Sequence, residues 1–142
     1  MRGSISERIE REVASWAGVT VSPHRYGGIE FRVGRRELGH LHGDRLADLP
    51  FPVPIRRELV AAGRAEPHHI LPRSGWVSLW IRGAGDVGAA IELFRLNYER
   101  PWMAGGTGSS RFRLLASLFV FMFGSGFVVR TPNPERGTQN RT

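Results

Sequence analysis

The amino-acid sequence predicts a small α+β domain, in which helices pack on one side of a small antiparallel sheet in the order α-β-β-β-α-β-β-α. Apolar residues recur at helical intervals over residues 5–17 and again over residues 87–98. Between these segments, short stretches of period-two alternation are separated by glycine and proline turns, which is typical of antiparallel strands. A length of 142 residues fits one such domain with a single core.

The first helix is predicted at residues 5–17. Ser4 and Glu7 have the spacing of a capping box, and Gly18 follows the segment as a stop signal. A short alternating piece, VTVSPHRYGG, comes next. It is followed by an antiparallel hairpin, in which IEFRV and ELGHLH flank a turn at residues 34–36.

The segment DLPFPVP, residues 48–54, carries three prolines in seven residues and is predicted to be an ordered turn or extended loop, not a regular element. Pro54 can open a second helix, which Gly63 ends. PHHILP then predicts a short strand and WVSLWI a strong one. Asp86 is the expected N-cap of a last helix. The residues that this helix is expected to bury are Val87, Ala90, Ile91, Phe94 and Tyr98.

Composition divides the chain into four parts. Residues 1–102 form the α+β domain, and residues 103–113, which contain GGTGSS, are a predicted flexible linker. Residues 114–129 are uncharged and mostly apolar. As a helix they would span about 24 Å, against roughly 30 Å for a bilayer core, so a membrane anchor, a buried element and a tail without function all stay open. Residues 130–142 are predicted to be a disordered tail.

The composition also excludes several classes of function. The chain has no cysteine and no lysine, which excludes disulfides, thiolate chemistry and Schiff bases. The net charge of +7 is uneven: residues 1–100 hold 15 arginines against 12 acidic residues, and residues 101–142 hold 5 against 1. No cluster of arginines with stacking aromatics stands out in the first part, so nucleic acid is not a predicted partner. The amino end lacks the apolar core of a signal peptide, which predicts a cytoplasmic protein, with membrane association only through residues 114–129.

The histidines of GHLHGD are the first candidates for chemistry. On a strand, His40 and His42 project from the same face, together with Leu38. That geometry suits a two-histidine metal site or a paired acid/base site, and the alternative is a pair of rings that only satisfies backbone groups. The candidates for a third member are two adjacent histidines and three carboxylates: His68, His69, Glu37, Asp44 and Asp48.

A substrate would need further contacts. Trp76 and Trp80 share one face of WVSLWI and could stack on an aromatic ligand, or they could be plain core residues. Because the other face is also apolar, the strand is predicted to be central and covered on both sides. Arg32 alternates with an apolar face and could clamp an anionic or enolic oxygen. No motif of a serine hydrolase, zinc protease or phosphate-binding loop is present.

The runs IEFRVGRRELGHLHGD, GRAEPHHILP and SGWVSLWIRGAGDVGAAIELFRLNYER resemble the luciferase-domain family, a group of small bacterial proteins similar to the carboxy-terminal part of fungal luciferase. The resemblance covers about residues 29–100. Its landmarks are Glu30-Phe31, Arg36-Glu37, His40-x-His42, the spacing from Gly63 to His68, the Trp76 strand and an acid-opened helix closing near Tyr98.

The resemblance implies an oxygenase-like oxidoreductase, because the fungal enzyme oxidises a hydroxylated styryl-pyrone with molecular oxygen and emits light, without an established cofactor. It also implies that His40, His42 and His68 bind or deprotonate an enolic substrate, and the same three are the ligands if a divalent metal is bound. This chain departs from the fungal pattern at Arg32, where the fungal enzyme has another histidine, and in lacking an amino-terminal membrane segment. A non-catalytic ligand- or metal-binding module and a membrane-tethered interaction protein are the alternatives, and the oligomeric state stays open.

Overall fold

A six-stranded sheet dominates the computed structural model, which describes residues 3–101. The strands are β1 (Val19–Pro23), β2 (Ile29–Val33), β3 (Arg36–His42), β4 (Leu46–Pro50), β5 (Glu66–Pro67) and β6 (Trp76–Trp80). Their order across the sheet is β1-β2-β3-β4-β6-β5, and each neighbouring pair is antiparallel. The predicted α+β class and the antiparallel sheet are therefore confirmed.

Three helices accompany the sheet: α1 (Ile5–Ala14), α2 (Val53–Ala61) and α3 (Val87–Glu99), the last preceded by a 3₁₀ turn at Ala84–Asp86. The predicted capping box of α1 is present, since Ser4 Oγ accepts from Glu7 N at 3.2 Å and Ser4 N donates to Glu7 Oε2 at 2.8 Å. The helix ends three residues before its predicted end. The Ser15 hydroxyl donates to Glu12 O at 2.6 Å and satisfies a carbonyl of the last turn.

Helix α3 packs its apolar side into the core. Val87, Ala90 and Phe94 are buried as predicted, whereas Ile91 and Tyr98 are only partly buried. Asp86 precedes α3, but its carboxylate makes no cap on this helix and instead accepts from Arg82 N at 2.7 Å.

Strand β4 corrects the prediction for residues 48–54, because the first three of those residues belong to the strand. The prolines indicated a loop, yet Pro50 is the last residue of β4 and pairs with Trp76. A proline lacks only the backbone donor, and the Pro50 carbonyl still accepts from Asn97 Nδ2 at 2.9 Å. The strand therefore tolerates proline at this position, and the order gains one strand before α2.

Strand β5 is shorter than PHHILP predicted, and it stops at Pro67. His68 Nδ1 accepts hydrogen bonds from the backbone N–H groups of Ile70 and Leu71 at 3.2 and 3.0 Å. These bonds turn the chain around the imidazole ring and end the strand. The prediction that His68 and His69 lie on a strand is therefore wrong.

The two faces of the sheet differ in character. One face packs against the helices through a continuous apolar core, which includes Phe31, Leu41, Leu49, Val77, Leu93 and Phe94. The fully buried Asn97 ties α3 to this face, because its Nδ2 donates to Leu38 O and to Pro50 O, each at 2.9 Å. The opposite face carries polar side chains, as period-two alternation requires.

Within residues 3–101, no helix combines the length and apolarity needed to cross a bilayer. The predicted linker at residues 103–113, the apolar segment at residues 114–129 and the tail at residues 130–142 lie outside the described residues.

Candidate functional site

A row of polar residues crosses the open face of the sheet. Glu30 pairs with His40, His40 pairs with Asp48, and Asp48 pairs with Ser78. Directly paired residues of antiparallel strands project from the same face, so side chains from four adjacent strands meet in one line. His42, two residues beyond His40, projects from this face as well.

A β-bulge adds Glu37 to the row. The register of β2 and β3 shifts between Phe31 and Arg32, so Leu38 is an extra residue that packs in the apolar core. The prediction that Leu38 shares a face with the histidine pair is therefore wrong. Glu37 takes its place, and its Oε1 lies 2.9 Å from His40 Nδ1.

Asp48 is the centre of the site and is fully buried. Its Oδ1 accepts from Ser78 Oγ at 2.5 Å. Its Oδ2 faces three imidazole Nε2 atoms, those of His42 at 3.2 Å, His68 at 3.5 Å and His40 at 3.6 Å. None of these contacts has hydrogen-bond geometry, so Oδ2 has no donor among the described residues. The sequence named Asp48 only as one of several candidate ligands.

The two remaining histidines, His69 and His24, lie next to these side chains. His69 Nδ1 lies 3.6 Å from Asp48 Oδ1 and 3.1 Å from Ser78 Oγ. His24, which sequence reasoning missed, stacks on His40 with ring centroids 3.9 Å apart. Its signal in the sequence is weak: it follows β1 by one residue, in step with Ser22, which pairs with Glu30. All five histidines of the chain thus lie in one place.

The environment sets the charges of these groups. Burial favours the neutral ring of His40, but the carboxylates of Asp48 and Glu37 outweigh burial and raise the pKa of His40 to about 9. Burial alone would raise the pKa of Asp48, whereas the side chains of His40 and Ser78 lower it overall. The pKa of His68 is lowered, mainly by burial. At neutral pH the site therefore holds an imidazolium–carboxylate pair beside a neutral ring.

Burial also lowers the pKa of His24, and the neighbouring His40 lowers it further. The stacked pair is therefore one neutral and one protonated ring. Glu30 lies beside His24 of this stacked pair. Its Oε2 is 4.0 Å from His24 Nε2, and its Oε1 accepts a hydrogen bond from Arg32 Nε.

A cavity of about 720 Å³ opens above the row. His40, His42, His68, Arg32 and Trp76 all line it, so the structure brings together five of the six residues that the sequence singled out. Exposed apolar side chains stand at its rim, namely Tyr26, Ile70 and Leu71.

Trp80 lies apart from this cavity. It lines a second, shallower pocket with Asp44 and Arg45, and its ring centroid is 6.0 Å from that of His69. Its surface is 42% exposed, so the prediction that β6 is covered on both sides is wrong at this end. The reason is that Trp80 is the last residue of β6 and extends beyond the two-residue β5.

Three sets of side chains bring potential metal ligands within 4.8 Å of one another: His40, His42 and Asp48; Asp48, His68 and His69; and His24, Glu37 and His40. Imidazole and carboxylate together suit divalent first-row transition metals. The sets overlap at Asp48 and His40, so a choice between them depends on which ring nitrogens carry protons.

Residues 35–97 match the family model described as Luciferase domain. The match includes β3 through β6 and most of α3, and it contains four of the five histidines. His24, Glu30 and Arg32 precede it. The chain matches none of the curated proteins and none of the solved structures.

Proposed function

Because residues 35–97 match the family model described as Luciferase domain, we propose that this chain is an enzyme for a small aromatic or enolic compound, which it deprotonates and presents to molecular oxygen. The observation that carries the proposal is the cavity of about 720 Å³, whose floor is a buried carboxylate surrounded by imidazoles. A cavity of this size accommodates a small aromatic molecule. Its polar floor suits an acidic hydroxyl on that molecule.

The polar side chains take separate roles in this proposal. His42, whose Nε2 lies 3.2 Å from Asp48 Oδ2, accepts the proton of the substrate. The protonated ring of His40, beside the same carboxylate, stabilises the enolate that forms. His68 stands on the other side of Asp48 Oδ2 and donates a hydrogen bond to the enolate oxygen. Arg32 supplies positive charge at the cavity wall, where it balances the developing anion.

The apolar side chains bind the rest of the substrate. Trp76 lies 5.4 Å from the ring of His40 and 5.8 Å from that of His68, measured between centroids, so an aromatic substrate that stacks on the indole meets both imidazoles. Tyr26 and Ile70 extend the apolar surface at the rim. Trp80 would contact only a ligand that reaches past His69.

Oxygen chemistry follows from the deprotonation. Loss of the hydroxyl proton leaves an electron-rich carbon in the enolate, and this carbon is the position that oxygen attacks. We expect the purified full chain to consume oxygen, measured with an electrode, when a hydroxylated styryl-pyrone is added, and we expect light to be recorded in the same vessel. His42→Ala should lower the rate of oxygen uptake by about 100-fold or more, since general acid–base groups contribute that much.

Glu92→Gln is the control, because Glu92 is an exposed carboxylate on α3, outside the cavity lining. Its rate should equal that of the unchanged chain. Oxygen uptake that survives in His42→Ala, or no uptake with any hydroxylated pyrone, would contradict the proposed function.

A second candidate is a binding module without catalysis, and the observation that favours it is the number of ligand atoms around Asp48. Such a module would bind the pyrone or a metal ion without consuming oxygen. Calorimetry with the same pyrone, beside the oxygen electrode, separates the two candidates.

We also propose that the protein works in the cytoplasm, on a small-molecule substrate. Attachment to a membrane would depend on residues 114–129. Fractionation of cells that express the full chain, compared with a chain ending at Trp102, tests this: an anchor would move only the full chain into the membrane fraction.

A further inference from the structure

We propose that His40, His42 and Asp48 bind a single divalent transition-metal ion, and that this ion is ferrous iron. Two imidazoles and one carboxylate on one side of an ion are the ligand set of non-haem iron sites that activate oxygen. The inference deepens the proposed function, on which it rests for the choice of iron. With an ion bound, His40 and His42 would serve as its ligands, and the ion would promote loss of the substrate proton in their place. The site itself rests only on the geometry and can be tested without a substrate.

The first argument is the state of Asp48 Oδ2. The carboxylate is fully buried, and Ser78 Oγ satisfies only its other oxygen. Oδ2 faces the cavity without a hydrogen-bond donor among the described residues. A buried carboxylate oxygen without a partner is costly, and a cation bound at Oδ2 would remove that cost.

The second argument is the orientation of His40. Its Nδ1 lies 2.9 Å from Glu37 Oε1, so this nitrogen carries a proton and donates to the carboxylate. Its Nε2 faces Asp48 Oδ2. A metal-binding histidine is commonly held in this way, with one nitrogen on a carboxylate and the other on the ion. The pKa of about 9 describes His40 without an ion, and an ion would displace the Nε2 proton.

The third argument excludes His68 and His24 as metal ligands. His68 Nδ1 accepts from two backbone N–H groups, and His24 Nδ1 accepts from Tyr26 N at 3.3 Å. An accepting Nδ1 is unprotonated, so the proton of each neutral ring is on Nε2. Such an Nε2 donates and cannot bind a metal. His68, which the sequence suggested as the third ligand, therefore carries its Nε2 proton 3.5 Å from Asp48 Oδ2, without hydrogen-bond geometry, and can donate to a molecule in the cavity.

His69 is excluded because the nitrogen that it turns toward Asp48, Nδ1, carries a proton. The Ser78 hydroxyl donates to Asp48 Oδ1, so Ser78 Oγ accepts from His69 Nδ1 at 3.1 Å. Of the three sets found among residues 3–101, only the set of His40, His42 and Asp48 can offer a lone pair on each ligand atom, once the ion displaces the Nε2 proton of His40.

The spacing of the remaining set fits a first-row ion. The Nε2 atoms of His40 and His42 lie 3.6 and 3.2 Å from Asp48 Oδ2. Ligand atoms about 2.0–2.2 Å from a common ion lie about 3.0–3.5 Å apart in octahedral or tetrahedral geometry. Three protein ligands leave the cavity side of the ion free for a small molecule.

The experiment measures ion binding to the full chain. The protein is treated with a chelator, dialysed and titrated with Fe²⁺ by anaerobic calorimetry, and with Co²⁺ by visible absorption. We expect one ion per chain with either metal, and absorption bands of Co²⁺ bound to nitrogen and oxygen ligands. His42→Ala and Asp48→Asn should weaken binding by at least 100-fold, and Glu37→Gln by about 10- to 100-fold because it supports a ligand.

The matched control is His68→Gln, which removes an imidazole at a similar distance from Asp48 Oδ2 and should leave the affinity within about three-fold. Unfolding curves of every variant show that it is folded. His42→Ala keeps the test decisive if Asp48→Asn does not fold, because His42 is only half-buried.

The absence of Fe²⁺ and Co²⁺ binding by the unchanged chain would overturn the proposal. So would binding that His68→Gln abolishes and His42→Ala leaves intact. The failure of the proposed function is distinguishable. A chain that binds one Fe²⁺ through these residues but consumes no oxygen supports the site and contradicts the enzyme, whereas oxygen uptake by a chain that binds no ion overturns the site alone.

Discussion

The same strands form two faces of the sheet that differ in role: the helix side forms the apolar core, and the open side carries the candidate site. Between β3 and β4, Leu41 pairs with Ala47 on the helix side, and one residue away His40 pairs with Asp48 on the open side. Both pairs are buried, yet the first contributes apolar contacts and the second contains a carboxylate oxygen that has no donor within residues 3–101. The helix side therefore supplies most of the stability of the fold. The open side buries polar groups that do not contribute to that stability.

The largest expected effect on stability comes from removing an aromatic ring on the helix side. Phe94 is fully buried and meets Phe31 edge to face, with ring centroids 5.1 Å apart. Phe94→Ala should lower the free energy of unfolding by about 3–5 kcal/mol, measured by urea denaturation. The matched change on the open side is Tyr26→Ala, at a ring that is 73% exposed, and it should cost about 0.5 kcal/mol or less. Equal losses of unfolding free energy for Phe94→Ala and Tyr26→Ala would contradict the conclusion that the helix side supplies most of the stability.

The next effect comes from Gly39, whose backbone lies close to β4 and to the Phe94 ring of α3. Gly39 has φ +143°, and an added Cβ would lie 2.6 Å from Asp48 O and 2.9 Å from Phe94 Cε1. Gly39→Ala should therefore lower the free energy of unfolding by about 2–4 kcal/mol, from backbone strain and overpacking together. Gly85→Ala is the control, since nothing lies within 4 Å of a Cβ there and it has no positive φ. A small cost at Gly39 would show that the bulge can relax.

A polar group on the helix side gives an intermediate effect. Asn97→Ala removes both hydrogen bonds from Nδ2 and leaves the carbonyls of Leu38 and Pro50 without that donor. We expect a loss of about 2 kcal/mol in the free energy of unfolding. Asn97→Asp keeps the size but brings a carboxylate oxygen to the same carbonyls, and it should cost more than alanine. The reverse order of these two variants would contradict a donor role.

A small effect on stability is expected at the candidate site on the open side, at His42. The side chain is 30% exposed and lies beside the cavity. His42→Ala should change the free energy of unfolding by about 1 kcal/mol or less, measured in metal-free buffer, while oxygen uptake and ion binding are lost. A cost comparable with that of Phe94→Ala would show that the open face also stabilises the fold, and the contrast between the faces would fail.

Local patterns were sufficient to predict the class of the fold and most of its elements. The capping box of α1, the hairpin of β2 and β3, and the burial of Phe94 follow from spacing within a few residues. Strand β4 was missed because three prolines outweighed the alternation that begins at Leu46. Its pairing with β3 is a local hairpin, but its pairing with β6, such as that of Asp48 with Ser78, depends on contacts that are remote along the chain, and no local pattern reports them.

The site was predictable in part for the same reason. His40 and His42 are two residues apart, so one strand is enough to place them together. Asp48 and His24 reach them only through the registers of neighbouring strands, which the sequence does not specify residue by residue. The exchange of Leu38 for Glu37 beside His40 depends on a bulge, for which Gly39 was the only local signal.

The bulge in β3 has a consequence for how the chain tolerates change. Residues on both sides of it pair with β2, and the downstream residues pair with β4 as well. Deletion of Leu38 would make the strand regular, and Glu37 would then stand two positions before His40, still on the open face. The apolar core would lose the Leu38 side chain, and Asn97 would lose the Leu38 carbonyl. A shortened strand would thus retain the carboxylate beside the histidine pair, and its cost would appear in the free energy of unfolding.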